Sequence, residues 1–361
     1  MTLALADVSK IYNPASRHPV HAVQSLDLAV ERGEIVALLG SSGCGKTSTL
    51  RMIAGFESVT HGSITLAGKR IDTLPPSRRG VAMAFEGYAL YPPLTVADNI
   101  GFGLNRDNRM DVQKRVREVA DLLEIGAILA RRPGGLSGGQ QQRASLARAL
   151  ARDADLHLLD EPMGQLEPQL RAALRGRVKA LVKERGLTAM LVTHDQTEAH
   201  AMSDRIAVME AGQLQQYGTG EELLARPSNL FVATFLGEPP MNALDVISEP
   251  SGVRLADNEQ FRLAMPGTKL PEPGTRVVLG VRPRKLQLGS GDWRGTVISN
   301  HWLGDQAHVA LDLAGHLVVV VSHQRVSCVV GTETSLGVGA EDVHLFEARS
   351  GRALLHGANS A

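Results

Sequence analysis

Residues 40–47, Gly40-Ser41-Ser42-Gly43-Cys44-Gly45-Lys46-Thr47, put glycines, a lysine and a hydroxyl at the spacing of a phosphate-gripping loop. The glycines let the backbone wrap tightly, so successive N–H groups point inward at phosphate oxygens. Lys46 supplies charge for β- and γ-phosphates, the Thr47 hydroxyl is a ligand for Mg²⁺, and Ser48 extends the set by one residue. A helix starting near Lys46 adds the positive end of its dipole. Residues 34–39, EIVALL, form a buried-strand candidate immediately before, so the loop has a strand on one side and a helix on the other. The plain alternative is a glycine-rich connector. Cys44 reads as a small loop residue, not a nucleophile.

Residues 156–161, LHLLDE, are an apolar strand ending in two carboxylates. Asp160 suits Mg²⁺, directly or through water. Glu161 suits the polarisation of an attacking water as general base. Alone, this is also how an ordinary solvated strand end looks; a phosphate loop upstream changes the balance. Leu136-Ser137-Gly138-Gly139-Gln140 then precedes a helical stretch at 141–152. Ser137, Gly138, Gly139, Gln140 and the helix N-terminus make a second anion cradle, beside the simpler reading of Ser137 as an N-cap. Two cradles with a single acidic strand make sense if the second serves another subunit's nucleotide.

These residues need a scaffold. The chain has 361 residues, enough for two or three domains, and 43% apolar residues against 21% charged allow a large core. Lys+Arg and Asp+Glu are both 38, so binding nucleic acid through bulk charge is disfavoured. Two cysteines, Cys44 and Cys328, form no disulfide framework or zinc spacing, which fits a reducing cytosol. Residues 1–12 carry no basic segment followed by a long apolar stretch, so no signal peptide is expected. No window approaches about 18 consecutive apolar residues, so any membrane role must come through partners.

Short apolar runs at 156–159, 190–193 and 206–209 alternate with helical stretches. In 110–124, Val112, Val116, Val119, Leu122 and Leu123 share one helical face; in 167–185, Leu170, Leu174, Val178, Leu181 and Val182 do. The alternation implies an α/β unit built on a mostly parallel sheet covered on both faces. Past Glu238-Pro239-Pro240 the runs are short and strand-like (276–281, 295–299, 307–313, 317–322, 343–346), separated by Gly, Pro, Asp and Ser. They imply a small all-β domain, a barrel, with the boundary at 235/236.

The chain resembles the ATP-binding subunits of ABC transporters, whose signature is the LSGGQ at 136–140. The resemblance covers essentially the whole chain and implies a P-loop NTPase fold over 1–235, with a helical subdomain at about 88–150. It implies an OB-like TOBE barrel over 236–361, which stabilises the dimer and can receive regulators. It places Tyr12 where an aromatic stacks on adenine and His194, in LVTHDQTEA, where a switch histidine meets the γ-phosphate. The stretches YALYPPLTVADNIGFGL (88–104), SNLFVATFLGEPPMN (228–242), VVLGVRP (277–283) and EDVHLFEARSGRAL (341–354) are most similar to the maltose and sn-glycerol-3-phosphate importer ATPases.

The resemblance therefore implies an ATPase using ATP and Mg²⁺, working as a homodimer or heterodimer with two transmembrane permease subunits. A solute-binding protein outside the membrane takes part indirectly, and nucleic acid does not. The place of work is the cytoplasmic face of the cell membrane. Residues 88–94 would receive a helix from each permease subunit, and the solute leans towards sn-glycerol 3-phosphate or glycerol. Three positions depart from the pattern. Glu86 replaces the Q-loop glutamine, Gly164-Gln165-Leu166-Glu167 replaces Ser-Xaa-Leu-Asp, and Arg282-Pro283-Arg284-Lys285 stands where relatives tend to have Arg-Pro-Glu-His. Glu86 keeps an oxygen for Mg²⁺ and a place beside the attacking water, and adds a negative charge beside phosphate. Burial would promote its protonation and relieve that charge. The alternative function is a nucleotide-gated, weakly hydrolysing structural subunit paired with a second, active ATPase.

Overall fold

The computed structural model describes residues 1–104, 109–259 and 261–357. Residues 105–108 of the expected helical subdomain and 358–361 of the expected β domain lie outside the described residues. The chain divides into two compact units, 1–220 and 221–361.

The first unit begins with β1 (Leu3–Tyr12) and β2 (Val20–Val30), then β3 (Ile35–Gly40), α1 (Lys46–Ala54), β4 (His61–Leu66), β5 (Lys69–Arg70) and β6 (Val81–Ala84). The helices α2 (Val96–Gly101), α3 (Arg109–Leu122) and α4 (Gly138–Ala151) follow. Then come β7 (Leu156–Asp160), α5 (Pro168–Glu184), β8 (Ala189–Thr193), α6 (Gln196–Met202), β9 (Arg205–Glu210) and β10 (Gln213–Gly218). Every residue of β3, β7 and β8 is buried, as expected of central strands covered on both faces.

These strands lie in a six-stranded sheet of order β10-β9-β3-β8-β7-β6, parallel except for β10. The registers set Leu39 opposite Thr193 and Val192 opposite Asp160. The C-terminal ends of β3, β7 and β8 therefore share one edge, the usual place for a ligand in an open α/β sheet. A second, antiparallel sheet of order β2-β1-β4-β5 was not anticipated as a separate layer. Its register shifts at bulges, which blur the alternation of Leu3, Leu5 and Val8. Its apolar face joins Leu50, Met52 and Ile53 of α1 and Leu156 and Leu158 of β7 in one core. Helix α4 starts at Gly138, ahead of the expected 141, because Ser137 and Gln140 form a capping box.

The unit boundary falls at 220/221, ahead of the expected 235/236. The reason lies in two short helices, α7 (Gly220–Ala225) and α8 (Leu230–Phe235). Leu230 and Ala233 pack with Met241, Val278 and Phe346. The Arg282 guanidinium, half-sequestered by burial that lowers its pKa to about 10, donates to the carbonyls of Leu224, Ala233 and Leu236. Composition does not change at 220, whereas the prolines at 239 and 240 catch the eye.

The rest of this unit is all-β, as expected. Strands β11 (Asn242–Glu249), β12 (Gly252–Leu255), β13 (Arg262–Ala264), β14 (Arg276–Val281), β19 (Val343–Glu347) and β20 (Ala353–His356) form an antiparallel sheet of order β13-β12-β11-β14-β19-β20. A four-stranded sheet of order β17-β16-β15-β18 uses β15 (Gln287–Trp302), β16 (Ala307–Leu313), β17 (His316–Ser322) and β18 (Glu333–Gly337). Alternate residues of both sheets, such as Leu244, Val246, Leu279, Val309, Leu311 and Leu345, meet Trp293 in one core. Lys285, one of the departures in the sequence, makes an ion pair with Asp342 at 2.7 Å.

Replacing Arg282 by Met strips three carbonyls of a charged donor, which should destabilise the second unit by about 2–4 kcal/mol. In calorimetry a separate, lower-temperature transition is expected, with nucleotide affinity unchanged. An unaltered single transition would mean that Arg282 does not hold the two short helices.

Candidate nucleotide site

The loop between β3 and α1 is built as its glycines require. Gly43 and Gly45 have φ of 78° and 103°, the left-handed region. A Cβ on Gly45 would lie 2.3 Å from the Ala22 carbonyl oxygen, and one on Gly40 2.2 Å from that of Met209. Cys44 is buried against the core rather than presented as a nucleophile. Ser41, Ser42 and Gly43 form the exposed rim, with Thr47 and Ser48 half-buried on the first turn of α1. Lys46 is 7% exposed, and its ammonium donates to the carbonyls of Gly40 (2.7 Å) and Ser41 (2.9 Å), across the mouth of the loop. Tyr12, at the end of β1, is linked to this turn by a 3.2 Å contact between its hydroxyl and Ser48 Oγ.

At the end of β7, Asp160 is 4% exposed, and its Oδ1 has no hydrogen-bond partner. Burial, then the charges of Glu86 and Glu161, push its pKa up to about 6 against the pull of Arg51 and Lys46. An orphaned carboxylate oxygen on the strand under α1, with the Thr47 hydroxyl on α1, fits a divalent cation. Among the described residues no cluster of three or more His, Cys, Asp or Glu makes a protein-only cage. Such a cation would therefore complete its oxygen shell from phosphate and water.

Glu161 follows with φ 46°, a left-handed conformation that costs a non-glycine residue about 1–2 kcal/mol. Its N–H donates to Val192 O at 2.9 Å, and its carbonyl accepts from Gln142 Nε2 at 2.8 Å. The side chain then meets His194, Glu161 Oε1 to His194 Nδ1 at 3.0 Å, with the histidine 66% exposed. His194 is flanked by Asp195, which caps α6. Burial opposes ionisation of Asp195, but the Glu198 amide, Arg175 and Arg171 together hold its pKa below the usual value. Arg171 also donates to Leu166 O at 3.1 Å, tying residues 164–167 to this cap.

Glu86 lies in an exposed turn after β6, so the burial expected to promote its protonation does not operate. Its charge acts instead on its neighbour, as the second cause of the raised Asp160 pKa. The following segment is pinned to α4: Arg148 donates to Ala89 O (2.6 Å) and Tyr88 O (3.2 Å) and lies over the Tyr91 ring. A groove of about 550 Å³ opens there, lined by Phe56, Phe85, Tyr91, Phe102 and Arg148 among others.

The structure thus gathers the phosphate loop, Asp160, Glu161 and His194 at one sheet edge. Residues 137–140 stand apart. Ser137 and Gly138 are exposed, and Ser137 and Gln140 bond each other. Among the described residues, no hydrogen bond or ion pair joins 137–140 to 40–48. Sequence reasoning missed Gln142, Arg148 and Arg171. Gln142 sits in a run of three glutamines, and only the phase of α4 shows which one is buried.

A family model described as ABC transporter matches residues 23–164, and one described as TOBE domain matches 279–346. The chain is 39% identical to the trehalose/maltose import ATP-binding protein MalK of Thermococcus litoralis, covering 97% of this chain and 98% of that one. It is 39% identical to the sn-glycerol-3-phosphate import ATP-binding protein UgpC 1 of Rhizobium johnstonii, with 91% of each covered. It is 41% identical to the alpha-glucoside transport ATP-binding protein AglK of Rhizobium meliloti, covering 84% and 85%. Among solved structures, a dimeric ATP-binding cassette in a post-hydrolysis state bound to ADP and Pi superposes with a TM-score of 0.56. It is 27% identical, covering 60% of this chain and 98% of that one.

Two outcomes follow from the carboxylates. The Asp160 pKa is raised from 3.8 to about 6, so between those values the folded state binds more protons than the unfolded. Metal-free stability from this group is therefore lost as pH rises through about 6. Asp160→Asn should stabilise the protein in EDTA by about 1–3 kcal/mol at pH 7.5 and by much less at pH 4.5, read by urea denaturation. An equal gain at both pH values would refute a titrating origin. Glu86→Gln should tighten metal-free ATP binding by roughly three- to tenfold, about 1 kcal/mol, with a smaller effect on Mg-ATP. Weaker metal-free binding would show that Glu86 is a favourable contact.

Proposed function

The chain belongs to the ATP-binding subunits of ABC transporters, in the maltose-type import subfamily with a C-terminal TOBE domain, and on that premise we propose how its own residues work. As an ATPase subunit of a sugar or glycerol-phosphate importer, it converts binding and hydrolysis of ATP into movement of its partners. The observation that carries the reading is the Glu161–His194 pair, at 3.0 Å, on the edge that also bears the phosphate loop and the orphaned Asp160 oxygen.

Lys46 leaves the Gly40 and Ser41 carbonyls for phosphate oxygens, which are charged acceptors and so stronger partners. The loop N–H groups and the N-terminus of α1 take the remaining phosphate charge. Thr47 and Asp160, with Glu86 as a candidate contributor, would hold Mg²⁺, which would supply neutralisation of phosphate charge in the transfer. Glu161 accepts the proton of the attacking water, and its strained backbone holds the carboxylate forward. His194, hydrogen-bonded to Glu161, fixes that carboxylate and meets the γ-phosphate. Tyr12 borders the adenine side. Catalysis is then positioning and electrostatics rather than covalent chemistry.

The exposed Ser137 and Gly138, with Gly139 half-buried beside them, face outward, which suits a cradle for the nucleotide of a second subunit in a head-to-tail dimer. The groove at Tyr91 and Phe102 suits a helix from a permease subunit, which sets the protein at the cytoplasmic face of the membrane. For the solute we favour sn-glycerol 3-phosphate or glycerol, on the likeness of the C-terminal segment. Glu86 and the altered 164–167 segment motivate the second reading, a weakly hydrolysing subunit beside an active one.

Steady-state phosphate release with Mg-ATP should exceed that of Glu161→Gln by about a hundredfold or more, and the variant should accumulate as an ATP-bound dimer. Equality of the two would favour the weakly hydrolysing subunit. Tyr91→Glu should abolish assembly with the permease pair while leaving ATP hydrolysis by the free protein within twofold. Uptake of labelled sn-glycerol 3-phosphate, set against glycerol and maltose, tests the solute.

A further inference from the structure

Helix α4 faces two ways. Its N-terminus presents Ser137 and Gly138 to solvent, while Gln142, just over one turn along, is 4% exposed. The Gln142 amide is bonded at both ends. Nε2 donates to Glu161 O at 2.8 Å, and Oε1 accepts from Gln165 N at 2.9 Å. One side chain thereby spans the turn between the general base and the 164–167 segment.

An apolar side chain would fill a buried helix position at less cost. Ordering a glutamine costs about 1.5–2 kcal/mol, and its amide must recover its lost hydration through bonds. Its neighbours on α4, Ala144 and Leu146, are ordinary core residues. What the amide does is local: it holds the carbonyl of a residue in a strained conformation, φ 46°. Without it the Glu161 carbonyl keeps, among the described residues, the N–H of Gly164 at 3.3 Å. The peptide units on either side of Glu161 are then bonded to β8, through Val192 O, and to α4, through Gln142. The angle at which Oε1 meets His194 depends on both.

We infer that Gln142 is a positioning residue that locks the backbone of Glu161 and Gln165 to the signature helix. The base of one site thereby moves with the helix that serves the nucleotide of the other. The coupling rests on the head-to-tail dimer proposed above; the positioning does not. A nucleotide pressing on the N-terminus of α4 shifts a rigid, capped helix, and Gln142 passes that shift to residues 161–165.

The test uses the full chain with Gln142→Met, which matches the length without the amide, and Gln142→Glu, which keeps an acceptor for Gln165 N but loses the donor to Glu161 O. Both should lower kcat at least tenfold. The ATP concentration for half-maximal dimerisation, measured in a Glu161→Gln background, should stay within twofold. The Gln165 amide should exchange its hydrogen at least tenfold faster in Gln142→Met and at the wild-type rate in Gln142→Glu. A kcat within twofold of wild type for both variants, or unchanged Gln165 exchange in Gln142→Met, overturns the positioning role. A kcat that falls together with ATP-driven dimerisation assigns Gln142 to fold maintenance alone and also overturns it. A wild-type chain that stays monomeric with Mg-ATP sinks the dimer reading and the coupling with it. Gln165 exchange, which needs no nucleotide, tells that outcome from failure of positioning.

Discussion

A carboxylate oxygen buried without a partner organises this protein. Asp160 lies at the end of a fully buried strand, within reach of the charges of Glu86 and Glu161, with only Lys46 and Arg51 pulling the other way. A single protein chain would gain stability by replacing it. The parallel sheet delivers it to the same edge as the phosphate loop, where a divalent cation, as proposed above, would satisfy the orphaned oxygen and offset its charge. On the proposed reading, the cost of that buried charge would be relieved when a cation binds, which favours Mg-nucleotide. Glu86 adds to that cost from an exposed turn. Its charge helps raise the Asp160 pKa, so the glutamate acts on a neighbour.

The second organising element is α4. Ser137 caps it, Gln142 bonds the backbone of Glu161 and of the following loop, and Arg148 bonds the carbonyls of Tyr88 and Ala89. One helix therefore touches the outward-facing residues 137–138, the edge bearing Asp160 and Glu161, and the segment beside the groove. The bonds use backbone carbonyls and amides, which side-chain identity in the partner segments does not disturb. This explains how the departures at Glu86 and at residues 164–167 sit in an otherwise intact frame.

Much of this was legible in the sequence. The phosphate loop, Asp160, Glu161 and the signature are short-range patterns, and glycine spacing or a strand's apolar run announces them. The strands at 276–281 and 307–313 show their alternation plainly. The antiparallel sheet of β1, β2, β4 and β5 did not, because bulges break its period. The boundary at 220 did not, because what moves it is the long-range bonding of Arg282 to Leu224, Ala233 and Leu236. The exposure of Glu86 and the burial of Gln142 are tertiary facts: each depends on how an element is rotated, and neither residue type betrays it. The C-terminal strands β11, β12 and β13 were missed as well, short pieces that depend on their neighbours in the sheet for definition.

The most direct test of the central claim is a proton count on binding. Mg-ATP is titrated calorimetrically into the protein near pH 6, in buffers of different ionisation enthalpy, with Asp160→Asn as the reference. Asp160, with its pKa at about 6, is roughly half protonated there. If the buried carboxylate receives the metal, wild type releases about half a proton more than the variant. The same proton count for both proteins would show that Asp160 keeps its proton when Mg-ATP binds, and that the organising interaction lies elsewhere.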